Sequence, residues 1–373
     1  QNEYPFILNE NSQLSPNIIS VIQHMMTMKE QSNLQISNFQ VIRQKHNGLG
    51  ALFKINAIYQ NPRIENLKLL QNILRFSQPY VSITNFVEPA NFLPYFIKVL
   101  PLCTHIKSLA FPRLPDIDAY SYLAQLCQNE INLKHIAVQG EITSSFNNFV
   151  SAIKEIRESK LFGLSFVESE LKENNLNQLQ SIILSSGIHS IEFHRAIDNN
   201  AMIYFYSTFL TPQLFENLYS LNLAGSTNII VSQLFPRIKK IRMLCLSNCG
   251  LDINDVLKEL STFTNIKVLD ISRNRCTAPI DQSLILPPTL NTLRIDDTSF
   301  SADCIVPFLS FIFQRFEHGL KLSISSLALA NENEWSDVFS FFHHCQFRSL
   351  VSLVWDGNPI HPKFFTFLLR SPF

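Results

Sequence analysis

Glycine is scarce in this chain, 9 in 373 residues. Charge is scarce as well, at 16%, and it cancels: 30 Lys and Arg stand against 30 Asp and Glu. With no basic run apparent, that balance gives no general pull toward nucleic acid or an anionic membrane. Apolar stretches such as Cys304–Phe313 are too short to span a bilayer. Residues 1–30 lack the basic and apolar regions of a signal peptide. The 7 cysteines are an odd number, scattered and without a C-x-x-C pair, which fits a reducing compartment and a cytoplasmic protein. No N-x-S/T acceptor occurs despite abundant Asn. No G-x-S-x-G, phosphate-binding loop or dinucleotide fingerprint is present, so nothing calls for an enzyme or a cofactor.

What the chain does contain is a repeat. The pattern L-x-x-L-x-L-x-x-(N/C/S/T)-x-L returns from near residue 50 to the end. Clear copies place Ile241, Leu244, Leu246, Cys249 and Leu251 in slots 1, 4, 6, 9 and 11. Ile266, Leu269, Ile271, Asn274 and Cys276 follow suit, as do Leu290, Leu293, Ile295, Thr298 and Phe300, and Leu350, Leu353, Trp355, Asn358 and Ile360. Looser copies centre on Leu221, Ile191, Leu164, Ile136 and Leu109. The weakest centre on Leu322, Val81 and Phe53. Slot 4 thus recurs twelve times at steps of 23 to 31 residues, about 27 on average. At 46% apolar composition, three named slots are all apolar by chance roughly a tenth of the time.

Slots 4 and 6 alternate with polar neighbours, as a half-buried strand requires. Asn274 and Asn358 in slot 9 are suited to bond backbone groups of adjacent turns, and Cys249, Ser169 and Thr298 do so more weakly. Between strands the period turns helical. Val256, Leu257, Leu260 and Phe263 share one face behind Asp252 or Asn254 as cap; Leu176, Leu179, Ile182 and Ile183 do likewise, with Gly187 at the helix end. Pro279, Pro287 and Pro288 predict an irregular connector over 278–288. The fold class is therefore α/β: a leucine-rich repeat solenoid of about twelve repeats, curved, with parallel strands on the concave face and helices on the convex one.

We assign 50–373 to the array and 1–49 to an N-terminal cap or the tail of a preceding domain, with Leu34, Ile36 and Phe39 as a capping strand. Ile64–Leu74 reads as the helix of the first repeat. The apolar run Phe364–Leu369 has no polar cap after it, so the array is expected to continue, or to meet another domain or a second copy there.

Candidate chemistry is sparse. His343, His344 and Cys345 fall on different helix faces, and Cys245 with Cys249 are a strand and a ladder residue. Both groups read as structural, with no metal site. The concave slots are more telling. Down slot 5 lie Glu192, Asn222, Cys245, Asp270 and Arg294, flanked in slots 7 and 8 by His194, Arg195, Arg273, Asp296 and Asp297. Stacked strands would align these about 5 Å apart. We take Glu192, Arg195, Asn222, Asp270, Arg273, Arg294 and Asp297 as a partner-binding ribbon. A self-paired surface ladder accounts for the same alternation of sign.

Repeats of 27–28 residues with strand and helix resemble the ribonuclease-inhibitor-like class of leucine-rich repeats. Following an out-of-register N-terminal segment, the array is also similar to that of CARMIL-type regulators of actin capping protein. The resemblance implies a non-enzymatic scaffold for a protein partner, in a cytoskeletal setting. The fold is similar too to GTPase-activating proteins of the Ran type, but the acidic tail usual there is missing. A surface adhesin is a further alternative, against which the lack of an export signal and of glycosylation acceptors counts.

Overall fold

The computed structural model describes residues 34–43, 51–59, 80–82, 89–114, 117–128, 133–155, 161–315, 319–344 and 350–362. The chain divides into two compact units. The first runs through Ser169 and takes in 185–187; the second holds 170–184 and everything from Ile188.

In the first unit, β1 (Leu34–Arg43) and β2 (Ala51–Tyr59) form an antiparallel pair of their own. This corrects one repeat. Phe53 and Ile55, read as the first copy of the array, pair with Val41 and Phe39 in that hairpin. Alternation of apolar and polar residues is common to both strand types, so the pattern alone does not tell a hairpin from a parallel rung. The proposed helix at 64–74 lies outside the described residues.

Then come four parallel rungs, β3 (Tyr80–Ser82), β4 (Ser108–Phe111), β5 (His135–Gln139) and β6 (Gly163–Val167). Their slot-4 residues are in register: Val81 on Leu109, Leu109 on Ile136, Ile136 on Leu164. Helices α1 (Pro89–Val99), α2 (Ala119–Gln128) and α3 (Phe146–Glu155) connect them. Asp118 caps α2: its carboxylate accepts from the Tyr120 and Ser121 amides and from the Thr143 hydroxyl of the next repeat. Burial opposes its charge, but hydrogen bonds from Ser145, Thr143 and these amides prevail and hold the carboxyl below its usual range. The core is aromatic. Tyr120, Phe146, Phe149 and Phe166 are fully buried, and Phe146 meets Tyr120 and Phe166 edge-on at 5.2 and 6.2 Å between ring centres.

The second unit contributes seven parallel rungs: β7 (Ser190–His194), β8 (Ser220–Asn222), β9 (Met243–Cys245), β10 (Val268–Asp270), β12 (Thr292–Arg294), β14 (Leu320–Ser323) and β16 (Leu350–Val354). Ile191, Leu221, Leu244, Leu269, Leu293, Leu322 and Leu353 lie side by side in that order. A minor parallel sheet forms from slots 10 and 11: β11 (Arg275–Cys276), β13 (Ser299–Phe300) and β15 (Ala328–Leu329). The outer segments vary. Helices α4 (Glu173–Ser185), α5 (Ile253–Leu260), α6 (Ile305–Arg315) and α7 (Glu334–His344) are regular. The Asp252 side chain caps α5 through the Asn254 amide at 2.9 Å. The proline-rich stretch 277–291 carries neither helix nor strand, as its prolines dictate. One strand per repeat, paired in parallel with its neighbours and backed by helices, makes the fold an α/β leucine-rich repeat solenoid. No described helix is long and apolar enough to cross a membrane.

Two columns hold the turns together. The first is slot 8. Gly140 and Glu168 in the first unit adopt positive φ there, and so do Arg195, Gly225, Asn248, Arg273, Asp297, Ser326 and Gly357 in the second. The left-handed kink turns the chain off the strand while its amide stays on the ladder. Gly225 donates to Ser247 at 2.8 Å, Asn248 to Ser272 at 2.9 Å, Arg273 to Asp296 at 2.7 Å and Asp297 to Ser325 at 2.8 Å. Three of the chain's nine glycines occupy this column. Elsewhere a side chain tolerates the strain, at roughly 1–2 kcal/mol for a non-glycine residue.

The second column is slot 9. Asn274 is buried, accepts from the Cys249 and Leu251 amides, and donates to the Leu246, Ile271 and Ser272 carbonyls. Asn358 accepts from Leu327 and donates to Ile324. Cys249 makes a weaker version through its thiol, to Leu223 at 3.2 Å. The buried hydroxyl of Thr298 has no partner.

All six described cysteines are free thiols. Burial pushes the Cys127, Cys245 and Cys276 thiols up to about 12 and that of Cys249 up to about 11, from an ordinary value near 9. At pH 8 that leaves a thiolate fraction of about 10⁻³ to 10⁻⁴ at each. The native chain is therefore expected to leave these four unmodified by iodoacetamide, while the urea-unfolded chain is modified at all of them, read by peptide mass mapping. The linkage has a definite sign. Because the folded values are raised, the contribution is intact below pH 9 and is lost as pH climbs toward 11–12, so the urea midpoint falls over that window.

Candidate functional site

The polar ribbon lies on the solvent-facing side of the second unit's sheet. Slots 4 and 6 are buried, and slot 5 between them points outward. Pairing register places Glu192 beside Asn222, Asn222 beside Cys245, Cys245 beside Asp270, Asp270 beside Arg294, and Arg294 beside Ser323. Glu192, Asn222, Asp270 and Arg294 thus share one row. Arg195, Arg273 and Asp297 flank it at the kinked slot-8 positions.

Within the row the side chains differ in what they hold. His194 bridges its start. Its Nε2 is 3.0 Å from the Glu192 carboxylate and 3.3 Å from the Asn222 amide nitrogen. Protonated there, the ring donates to Glu192; unprotonated, it accepts from Asn222. Asn222 and Asp270 each accept from the amide two residues on, Ala224 and Ser272, at 2.9 and 3.0 Å. These bonds fix the side-chain oxygens of two half-buried groups.

Ion pairing separates the residues. Arg273 and Asp297 pair at 3.1 Å, both well exposed, a contact of the kind that contributes about 0–1 kcal/mol. Asp270 and Arg294 face each other across adjacent strands but form no ion pair. Asp296 turns to the next repeat, accepting from the Ser323 hydroxyl and the Ser325 amide at 2.7 Å. So the alternation of sign along the row is only partly satisfied from within, and the Arg294 and Arg195 guanidiniums have no acidic partner among the described residues.

Arg195 reaches into a cleft of about 590 Å³ that Glu170, Asp198, Asn199, Asn228 and Asn248 also line. Gly225 makes its path possible. A Cβ there would sit 2.8 Å from both Cγ and Nε of Arg195, and the residue's φ of +77° independently favours glycine. The cleft and the His194 bridge were not evident from the sequence. A signal for the bridge did exist, since His194 and Glu192 are two apart on one strand and so share a face.

Among the described residues no three His, Cys, Asp or Glu side chains gather as a metal-binding group. His343 and His344 stand edge to face at the end of α7, with His344 Nδ1 on the Ser340 carbonyl at 2.8 Å. Cys345 lies outside the described residues.

No family model matches the chain, and no curated protein matches it. Among solved structures it is similar to an internalin (InlF) from Listeria monocytogenes, at 15% identity and a TM-score of 0.37, over 79% of this chain and 70% of that one. Leucine-rich repeat folds generally serve protein–protein contact through their exposed sheet.

Proposed function

We propose that the chain is a non-enzymatic scaffold that binds a protein partner along the row Glu192, Asn222, Asp270 and Arg294, with Arg195, Arg273 and Asp297 beside it. One observation carries the reading: Asp270 and Arg294 sit opposite each other in register yet form no ion pair, so both charges are available to a partner. Backbone bonds to Asn222 and Asp270 pre-orient the polar groups, which lowers the ordering cost of binding. A cytoplasmic setting and the ribonuclease-inhibitor-like class belong to the same proposal, supported by the free thiols of the described cysteines and by helices of 8–13 residues after most of the rungs. The resemblance to CARMIL-type arrays adds a cytoskeletal partner to it.

Charge reversal tests it. Asp270→Arg and Arg294→Asp each weaken partner capture by the immobilised chain about tenfold, the effect of losing a charged anchor. The melting temperature stays within about 2 °C, since neither side chain supports the core. Unchanged capture by both variants refutes the row as the binding surface.

A further inference from the structure

The rims of the second unit differ in charge. Where the chain enters the strands, the segment 237–242 reads Arg-Ile-Lys-Lys-Ile-Arg. Ile238 and Ile241 are fully buried, which anchors the segment and leaves Arg237, Lys239, Lys240 and Arg242 exposed. Lys267 joins them from the next repeat: its amide and that of Val268 both donate to the Arg242 carbonyl, at 2.8 and 3.0 Å, which sets it one strand spacing away. Tyr219 takes the same position one repeat earlier, since the Arg242 and Met243 amides donate to its carbonyl. None of the five cations has an ion pair among the described residues. Where the chain leaves the strands, acids outnumber bases: Asp198, Asp252, Asp296, Asp297, Asp303 and Asp356 stand against Arg195, Arg273 and Arg275. In sequence the two isoleucines break these cations up, so no continuous basic run shows; both are buried in the fold, which leaves one basic patch.

We infer that this basic rim docks an acidic segment of a protein partner. The row is narrow, spanning the entries of β9 and β10, and so suits a single chain. Its one flanking aromatic is not a stacking platform for nucleic-acid bases. Tyr219 is covered on one side by the His189 ring, at 5.1 Å and nearly parallel, and on the other by the Arg242 guanidinium at 5.6 Å. Nor does the rim offer an aromatic anchor for a lipid surface, because Phe235 and Phe263 pack edge-on against each other in the core. Charge complementarity is what remains. Five unpaired cations raise the local concentration of an acidic chain and its rate of encounter. The rim is separate from the row of Asp270 and Arg294, so the two stand or fall independently.

The test uses a fluorescein-labelled oligo-glutamate peptide and the whole chain at low salt. The parent binds it. The variant Lys239→Glu/Lys240→Glu/Lys267→Glu loses about tenfold or more in affinity, and 0.5 M NaCl abolishes binding. A variant with the same change in net charge placed on outer segments, Lys98→Glu/Lys154→Glu/Lys172→Glu, stays within about twofold. Equal loss in the two triple variants shows a bulk charge effect and overturns the proposal. So does tighter binding of a single-stranded oligonucleotide, or of phosphatidylserine vesicles, that the rim variant alone loses. Circular dichroism of both variants confirms that they are folded before either is scored.

Discussion

Asn274→Ala destabilises the second unit by about 3–5 kcal/mol, because it orphans several buried groups at about 1–3 kcal/mol each. One side chain serves five backbone groups. It accepts from Cys249 at 3.1 Å and Leu251 at 3.0 Å, and donates to Leu246 at 2.8 Å, Ile271 at 2.9 Å and Ser272 at 3.3 Å. Two of the acceptors belong to its own turn; the two amides and the Leu246 carbonyl belong to the repeat before. The side chain is therefore both a turn support and a staple between repeats. In a stacked array stability is roughly a sum of repeat and interface terms, and this substitution strikes both. Hydrogen exchange gives the sharpest readout. The Cys249 and Leu251 amides are slow in the parent and become fast in the variant, while amides near β4 and β5 are unaffected. A shift below about 1 kcal/mol, with those two amides still protected, would mean that the Asn274 bonds do not carry the turn.

Phe205→Ala lowers stability by about 3–5 kcal/mol, the usual cost of emptying a fully buried aromatic site. Phe205 is completely buried. It stacks on Phe209 at 5.4 Å and meets Phe193 edge-on at 5.9 Å. Its position depends on an irregularity. The step from Ile191 to Leu221 is 30 residues, longer than the average, and the surplus is taken up as a π-helical turn over Phe205–Phe209. The Leu210 amide closes that turn on the Phe205 carbonyl at 3.1 Å. Both rings thereby point into the core behind β7. Urea denaturation followed by near-ultraviolet circular dichroism reads the loss. A fall of less than about 1 kcal/mol would show that the neighbouring rings collapse into the space. Phe205→Leu, which keeps most of the apolar volume, recovers about half the stability.

The rungs of both units were legible in the sequence because a solenoid makes distant pairing local. Each strand's partner is the same slot one repeat away, so Leu244, Leu269 and Leu293 announce both their burial and their register by period alone. The Asn274 ladder was readable for the same reason, as was the irregular connector at Pro287 and Pro288. The candidate row was legible only as a column of residues. That Arg273 pairs with Asp297 while Asp270 and Arg294 stay apart depends on rotamers and on the Ser272 amide, which no spacing encodes.

What the sequence determined by itself, then, is the repeat: which side chains are buried, which strands adjoin, and that they run parallel, because strand alternation and a fixed period leave one stacking that buries every slot 4 and slot 6. The tertiary structure alone decided three things. It set Phe53 in an antiparallel hairpin with Val41, since alternation is blind to strand direction. It placed arginine and aspartate in left-handed slot-8 positions, where ladder bonds to the following repeat override intrinsic backbone preference. It also set Lys267 beside the segment that carries Arg237, Lys239, Lys240 and Arg242, because neighbours across repeats are chosen by stacking and not by distance along the chain.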